Sequence, residues 1–196
     1  PEEIRFHYSR GGPVGYWKFD EGSGNIAYDS SGNGNHGTLV NGPTWTSGKF
    51  GSALSFDGVD DYVDIPYTPS LGFSDDATVE AWIKRDYFTG ERIIFIKTIE
   101  PDRWGIFLGL YTDKPRVSVV IEGTQYTLTS ANPIAVNEWY HLVGVREGTK
   151  LRLFINGNLD SEMDIPSGAL RTGSAKSRIG RAQIPATPSF NGLIDE

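Results

Sequence analysis

Short apolar runs separated by turn residues are the feature that most constrains how this chain can fold. The runs are rich in Val, Ile, Phe, Tyr, Trp and Thr, and Gly, Asp, Asn or Pro bounds nearly all of them, as is typical of β-strands. More than ten such runs occur and no segment has a convincing helical pattern, which predicts two stacked antiparallel sheets. The predicted strands are Tyr16–Phe19, Ala53–Phe56, Tyr62–Ile65, Thr78–Lys84, Ile93–Lys97, Trp104–Tyr111, Arg116–Glu122, Gln125–Thr129, Trp139–Arg146, Lys150–Ile155, Leu159–Met163 and Ser177–Gly180.

Two turns stand out between these runs. Asn156-Gly157 separates two strand candidates and predicts a type I′ hairpin, because both residue types tolerate positive φ. The loop from Asp29 to Asn35 resembles the start of an EF-hand, but Val40 stands where a bidentate Glu should close the calcium ring. We therefore expect ordinary turn chemistry in that loop.

Size and charge limit the classes of partner. The 196 residues fit one sandwich domain, with 14–196 as the domain and 1–13 as a linker or edge strand, in what we expect to be a segment of a larger multidomain chain. The net charge of −7 argues against nucleic acid and anionic membranes. No apolar run approaches 18 residues, so no direct membrane insertion is predicted. The absence of cysteine excludes disulfides, thiolate metal sites and cysteine nucleophiles.

Several segments of the chain, in their order and spacing, carry a resemblance to known domains. The segments are Gly15–Gly24, Asp29–Leu39, Phe56–Val63, Thr78–Lys84, Trp139–Val143, Leu153–Gly157 and Phe190–Glu196. Together they resemble the laminin-G-like, concanavalin A-like jelly-roll domains of bacterial and archaeal surface and secreted proteins. The resemblance covers nearly everything from Val14 onward, and it implies an all-β, two-sheet antiparallel β-sandwich of the jelly-roll type. Members of the family continue past Asp195-Glu196 with a further strand, so the resemblance also implies that the last strand is missing.

The resemblance further implies a structural Ca²⁺ ion. Calcium binds six to eight oxygens, and loops of this chain offer carboxylates and backbone carbonyls. By the resemblance, a carboxylate near the C-terminus meets carbonyls of early loops. The alternative is that Asp57, Asp60 and Asp61 only cap turns. The expected ligands are Asp20, Asp57, the carbonyl of Gly58, Asp60 and Asp195.

Aromatic side chains in loop-like settings are the candidates for ligand binding. Tyr87, Trp104 and Tyr126 are expected to contact a ligand, with Arg103 as a polar partner, although ordinary packing explains the same residues. Trp17, Trp82 and Trp139 lie within predicted strands and are expected in the core.

No complete catalytic group is found. Polysaccharide hydrolases of this fold use a Glu-x-Asp-x-x-Glu strand, and the nearest match here, starting at Glu162, has Ser167 in place of the second glutamate. His141, on a presumed buried strand, is expected to be a satisfied core histidine.

The sequence therefore predicts a non-catalytic, secreted or cell-surface module that binds a glycan or a surface protein. A structural spacer or filament-subunit domain is one alternative. A divergent polysaccharide hydrolase using Glu80, Glu162 or Asp164 is another.

Overall fold

The computed structural model describes residues 12–72, 76–87, 89–100, 103–170, 174–182 and 189–196. The predicted linker or edge strand at 1–13 therefore lies almost wholly outside the described residues. One 3₁₀ turn, Pro69–Leu71, accompanies the strands. The strands are β1 Ile26–Ala27, β2 Gly37–Val40, β3 Thr44–Ser47, β4 Ser52–Asp57, β5 Tyr62–Ile65, β6 Ala77–Arg85, β7 Glu91–Glu100, β8 Arg103–Tyr111, β9 Lys114–Ile121, β10 Thr124–Thr129, β11 Trp139–Glu147, β12 Lys150–Ile155, β13 Asn158–Asp164, β14 Ser177–Ile179 and β15 Asn191–Asp195.

The strands form two antiparallel sheets, which confirms the predicted sandwich. One sheet has the order β1-β2-β5-β14-β7-β8-β9-β10, and the other has the order β13-β12-β11-β6-β15-β4-β3. Within the described ranges, no helix is both long enough and apolar enough to cross a membrane.

The strand predictions from β4 onward agree with the structure within three residues, but the predicted strand Tyr16–Phe19 is wrong. Only Trp17 pairs there, in an isolated bridge to Asp29. Phe19 has φ of 55°, which lies outside the β region, so its ring turns into the core while the backbone leaves the extended path. Burial of one aromatic ring therefore overrides the local preference for a strand.

The space between the sheets is filled by one large apolar cluster drawn from both of them. The sheets approach closely where Gly144 of β11 faces Val117 of β9, since a Cβ on Gly144 would lie 2.5 Å from Val117 Cγ2. The hairpin between β12 and β13 has the predicted turn, with φ of 51° at Asn156 and 78° at Gly157. Both positive values fit a type I′ turn.

The outer face of the seven-stranded sheet is set by the alternation of side chains along each strand. On β6, Val79, Ala81 and Ile83 are buried in the core. Glu80 and Trp82 therefore point away from it. In register, Trp82 lies opposite His141 of β11 on one side and opposite Asp195 of β15 on the other. These three side chains consequently share one row on the outer face.

The loop after β1 is organised around the carboxylate of Asp29. Its Oδ1 accepts hydrogen bonds from the amides of Tyr16 and Ser31, both at 2.9 Å. Its Oδ2 accepts hydrogen bonds from the Asn35 amide at 2.9 Å and the Ser31 hydroxyl at 2.8 Å. Burial alone acts to raise the pKa of Asp29, but these hydrogen bonds outweigh it and lower the pKa below its ordinary value of 3.8. The loop thus has the expected turn chemistry.

We expect Asp29→Asn to lower the free energy of unfolding by about 2 kcal/mol at neutral pH, because an amide has one acceptor oxygen where the carboxylate has two. A lowered pKa in the folded state means that the stabilisation is present above the ordinary pKa and is lost as pH falls through the folded value. Urea denaturation across that pH range should show the difference between the two proteins narrowing in acid. Asp86→Asn, at an exposed position, is the control. A difference that stays constant with pH would contradict this account.

Candidate functional site

A shallow depression of about 290 Å³ lies on the outer face of the seven-stranded sheet. We name it the tryptophan platform. Its lining combines two indole rings with groups that can donate or accept hydrogen bonds. The lining residues are Lys49, Trp82, Trp139, His141 and Asn156.

Trp82 is the centre of the platform. The His141 ring stacks on it, with centroids 5.0 Å apart and an interplanar angle of 20°. Phe50 meets it edge-on, with centroids 5.7 Å apart at 87°. The Lys49 ammonium lies 4.9 Å from the Trp82 ring centroid, at cation–π distance. Three residues from two other parts of the chain therefore converge on this ring.

The expectation that Trp82 and Trp139 belong to the core is wrong, whereas Trp17 is buried in it as expected. Both platform tryptophans are half-buried and lie outside the core cluster. A sequence signal could have shown this for Trp82. Trp82 occupies the same alternate positions of β6 as the polar residues Thr78, Glu80 and Lys84, whereas the apolar residues of β6 occupy the positions between them. Side chains at alternate positions lie on one face of a sheet, so Trp82 belongs to the polar face.

His141 is also not a core histidine. It lies on the outer face, and its Nε2 is 3.3 Å from Glu80 Oε2. The turn beside it is tied to the same strand, since the His141 amide donates to Asn156 Oδ1 at 2.9 Å and the Asn156 amide donates to the His141 carbonyl at 2.8 Å. The hairpin turn is thereby fixed at the margin of the platform.

Asp195 holds the turn that carries Lys49 and Phe50. Its side chain is fully buried, and Oδ2 accepts hydrogen bonds from the amides of Lys49 at 2.7 Å and Phe50 at 3.0 Å. Gly48 permits this close approach, because a Cβ there would lie 2.5 Å from Asp195 Oδ2. The turn is therefore fastened to β15 and covers the outer face beside Trp82.

The other oxygen of Asp195 has no partner. Oδ1 is buried and makes no hydrogen bond within the described part of the chain. Burial raises the pKa of Asp195 and outweighs the backbone hydrogen bonds from Phe50, Lys49 and Glu196, while the neighbouring charge of Glu196 also raises it. Asp20 reaches the same turn, since its Oδ1 accepts a hydrogen bond from the Ser52 amide at 3.1 Å.

A second acidic group lies in the turn after β4. Carboxylate oxygens of Asp57, Asp60 and Asp61 all lie within 4.8 Å of one another. Asp57 Oδ1 accepts a hydrogen bond from the Val59 amide at 2.8 Å, and the Asp57 amide donates to Asp61 Oδ2 at 3.0 Å. Burial raises the pKa of Asp61, and the charges of Asp57 and Asp60 raise it further against the opposing Asp57 hydrogen bond. We name Asp57–Asp61 the acidic turn.

The structure separates the five expected calcium ligands into two groups. Asp57, Gly58 and Asp60 lie in the acidic turn, whereas Asp20 and Asp195 lie at the Gly48–Gly51 turn. Strand β4 joins the two turns. Asp57 pairs with Asn191 of β15, and Asp195 lies four residues further along that strand, a distance of about 13 Å. Ligand oxygens around one Ca²⁺ are within about 5 Å of one another, so one ion cannot contact both groups.

The four residues expected to bind a ligand do not meet at the platform. Tyr87 is 77% exposed and lies by the acidic turn, where the Asn191 side chain donates to its carbonyl at 3.2 Å. Tyr126 lies on β10 and packs against the core, which corrects its placement in a loop. The backbones of Arg103 and Trp104 belong to β8, and their side chains lie outside the described residues.

Glu162 and Asp164, considered above as catalytic acids, lie on the edge strand β13 in an ion-pair network. Lys150 Nζ is 2.9 Å from an oxygen of each, and Arg152 Nε is 2.6 Å from Glu162 Oε2. Hydrogen bonds from Lys150 and Arg152 lower the pKa of Glu162, which favours the charged form over a proton-donating acid.

We expect Asp195→Ala to lower the free energy of unfolding by about 1–3 kcal/mol more than Asp195→Asn does, because alanine leaves two amides without an acceptor while asparagine retains one oxygen for both. Chemical denaturation in the presence of a chelator measures this difference without a contribution from bound cations. Equal stabilities of the two variants would show that the carboxylate does not hold the turn.

Solved structures with a similar fold are binding domains of larger proteins. Domain 4 of a GH43 extracellular arabinanase from Geobacillus stearothermophilus, in complex with arabinotriose, has a TM-score of 0.73 and 20% identity over 93% of this chain and 88% of that chain. The binding domain of Paraclostridial mosquitocidal protein 1 has a TM-score of 0.70 and 14% identity, covering 88% of this chain and 47% of that chain. The botulinum neurotoxin serotype D binding domain has a TM-score of 0.63 and 14% identity, covering 89% and 46%.

This chain spans about half the length of both toxin binding domains, and at these identities the likeness shows the fold alone. No curated protein sequence matches the chain significantly. A laminin-G family model, described as the concanavalin A-like lectin/glucanases superfamily, matches residues 57–196, well over half of the sequence, and the chain therefore belongs to that family.

Proposed function

We propose that this domain is a non-catalytic carbohydrate-binding module of an extracellular protein, and that it binds its glycan at the tryptophan platform. The observation that carries the proposal is the pair of half-buried tryptophans on the outer face of a sheet whose other face already forms the core. Leaving large aromatic rings partly in water forgoes hydrophobic stabilisation, and a ligand that covers them recovers it. The polar groups of Lys49, His141 and Asn156 supply the hydrogen bonds that sugar hydroxyls require.

A binding role is supported by the similar structures, two of which are binding domains and one of which is a domain in complex with arabinotriose. The extracellular location is likewise supported by the similarity to a domain of an extracellular arabinanase. A surface protein, in place of a glycan, is the alternative partner of this binding module.

The carboxylates of the platform support a role without catalysis. Glycoside hydrolysis uses two carboxyl groups that both contact the substrate or its water. Glu80 and Asp195 lie on the same face on either side of Trp82. Asp195 is fully buried beneath the Gly48–Gly51 turn, so it cannot contact a sugar there. Glu80 contacts His141 instead of a second acid.

The binding proposal is tested with the tryptophans. We expect Trp82→Ala and Trp139→Ala each to weaken glycan affinity at least about tenfold, because buried tryptophans dominate the energetics of interfaces. Screening on a glycan array, followed by calorimetry with the best binder, measures the loss, and melting curves confirm that each variant is folded.

Tyr87→Ala is the matched control, since Tyr87 is an exposed aromatic residue outside the platform. Loss of binding in that variant alone would place the site at the rim beside the acidic turn. Failure of the wild-type domain to bind any glycan would remove the proposal.

We also propose that the domain binds a structural Ca²⁺ ion. The acidic turn fits, because oxygens of its three carboxylates are close enough to share one ion. Asp195 fits as well, since its buried Oδ1 has no partner in the described residues and a cation would compensate its charge. An ion at either place would stabilise the loops around it and would take no part in bond breaking.

We expect EDTA to lower the melting temperature by roughly 5–10 °C, because an ion that binds only the folded state at about 100 times its Kd adds about 2.7 kcal/mol. Calorimetry of Asp60→Asn and Asp195→Asn with and without EDTA then locates the ion. The variant that no longer responds to EDTA has lost the site. A wild-type melting curve that EDTA leaves unchanged would exclude calcium at both places.

A further inference from the structure

Two lysines at the tryptophan platform have no acidic partner in the part of the chain that the structure describes. The Lys49 ammonium lies 4.9 Å from the Trp82 ring centroid. Lys84 lies directly opposite Trp139 in the pairing of β6 with β11, so the two side chains are neighbours on the outer face. Neither lysine is within ion-pair distance of a carboxylate among the described residues.

The other cations on this face are paired. Lys150 contacts Glu162 and Asp164, and Arg152 contacts Glu147 and Glu162. The face therefore pairs its positive charges at β12 with carboxylates, whereas Lys49 and Lys84 beside the tryptophans have no carboxylate within ion-pair distance among the described residues. In a chain with a net charge of −7, such a local positive region is contrary to the overall charge.

The acids near the platform do not neutralise these lysines. Glu80 contacts His141, with Nε2 and Oε2 3.3 Å apart. Asp195 is buried under the turn, and its Oδ2 is engaged by the backbone amides of Lys49 and Phe50 rather than by an ammonium group. Because Asp195 holds the backbone of Lys49, it keeps the base of this side chain beside Trp82.

The surroundings of the Trp82 ring include a positive charge as well as other rings. The Trp82 ring already contacts His141, Phe50 and Lys49. A sugar bound there therefore meets an ammonium group at the ring as well as an apolar surface. A sugar that carries an anionic group would contact both the apolar surface of the rings and the ammonium group.

We propose that the glycan bound at the platform is an acidic saccharide, whose carboxylate or sulfate group is bound by Lys49 and Lys84 while the sugar ring contacts Trp82 and Trp139. The inference rests on the proposed carbohydrate-binding function and names the chemical class of its ligand. The net negative charge of the domain opposes long-range attraction of such a ligand, so recognition depends on contact within about one Debye length, roughly 8 Å at physiological salt.

The experiment compares ligands that differ only in charge. The probes are a trisaccharide of galacturonic acid, its carboxyl-reduced neutral counterpart and a sulfated trisaccharide, each titrated into the wild-type domain by calorimetry. We expect an acidic trisaccharide to bind at least about tenfold more tightly than the carboxyl-reduced one. The preference should weaken as salt rises from about 0.05 M to about 0.5 M. Comparison of the two acidic probes tells whether carboxylate or sulfate is preferred.

The variants test the two lysines. We expect Lys49→Gln combined with Lys84→Gln to remove most of the preference for the acidic probe, with a smaller effect on the neutral one. Lys114→Gln is the control for net charge, because Lys114 lies in the β8–β9 hairpin of the other sheet, and it should keep the preference.

Three results would overturn the inference. Equal binding of acidic and neutral probes would remove it while leaving the carbohydrate-binding function in place. An unchanged preference in the double lysine variant would also remove it. Absence of binding to every saccharide, including those on the glycan array, would remove both.

Discussion

The alternation of side chains along β-strands is the constraint on which the rest of this structure depends. Every second residue of β6 and β11 enters the core, and the residues between them stand on the outer face. Val79, Ala81 and Ile83 are therefore buried, and Trp82 is brought beside His141 on the opposite surface. The same geometric rule that builds the core also assembles the tryptophan platform.

The platform depends on contacts between distant parts of the chain. Asp195, near the C-terminus, fastens the turn between β3 and β4, and that turn places Lys49 and Phe50 against Trp82. A buried carboxylate with an unpaired oxygen costs free energy unless a cation or a proton compensates it. The same carboxylate holds the turn that places Lys49 and Phe50 against Trp82. This coincidence favours a binding role for the region over simple packing.

Charge is distributed unevenly between the two faces and ends of the seven-stranded sheet. The acidic turn concentrates three carboxylates at one end of β4. Near the other end, Lys49 of the platform has no carboxylate within ion-pair distance among the described residues, Glu80 contacts His141 and Asp195 is buried. A cation bound at the acidic turn, one of the two proposed places, would leave the platform free for a ligand. Tyr87, beside the acidic turn, belongs to the first of these places and not to the platform.

The sequence by itself determined the sandwich, most strand positions, the Asn156-Gly157 turn and the turn chemistry around Asp29, because these depend on local periodicity and on the conformations that single residues allow. The short strands before β4 and strand β15 escaped prediction, since pairing with neighbouring strands of the sheet, rather than their own composition, holds them extended. Only the tertiary structure decided that Asp195 and Asp57 lie about one strand length apart and that Lys49 contacts Trp82. Those relations join residues far apart in the chain, and no local pattern records them.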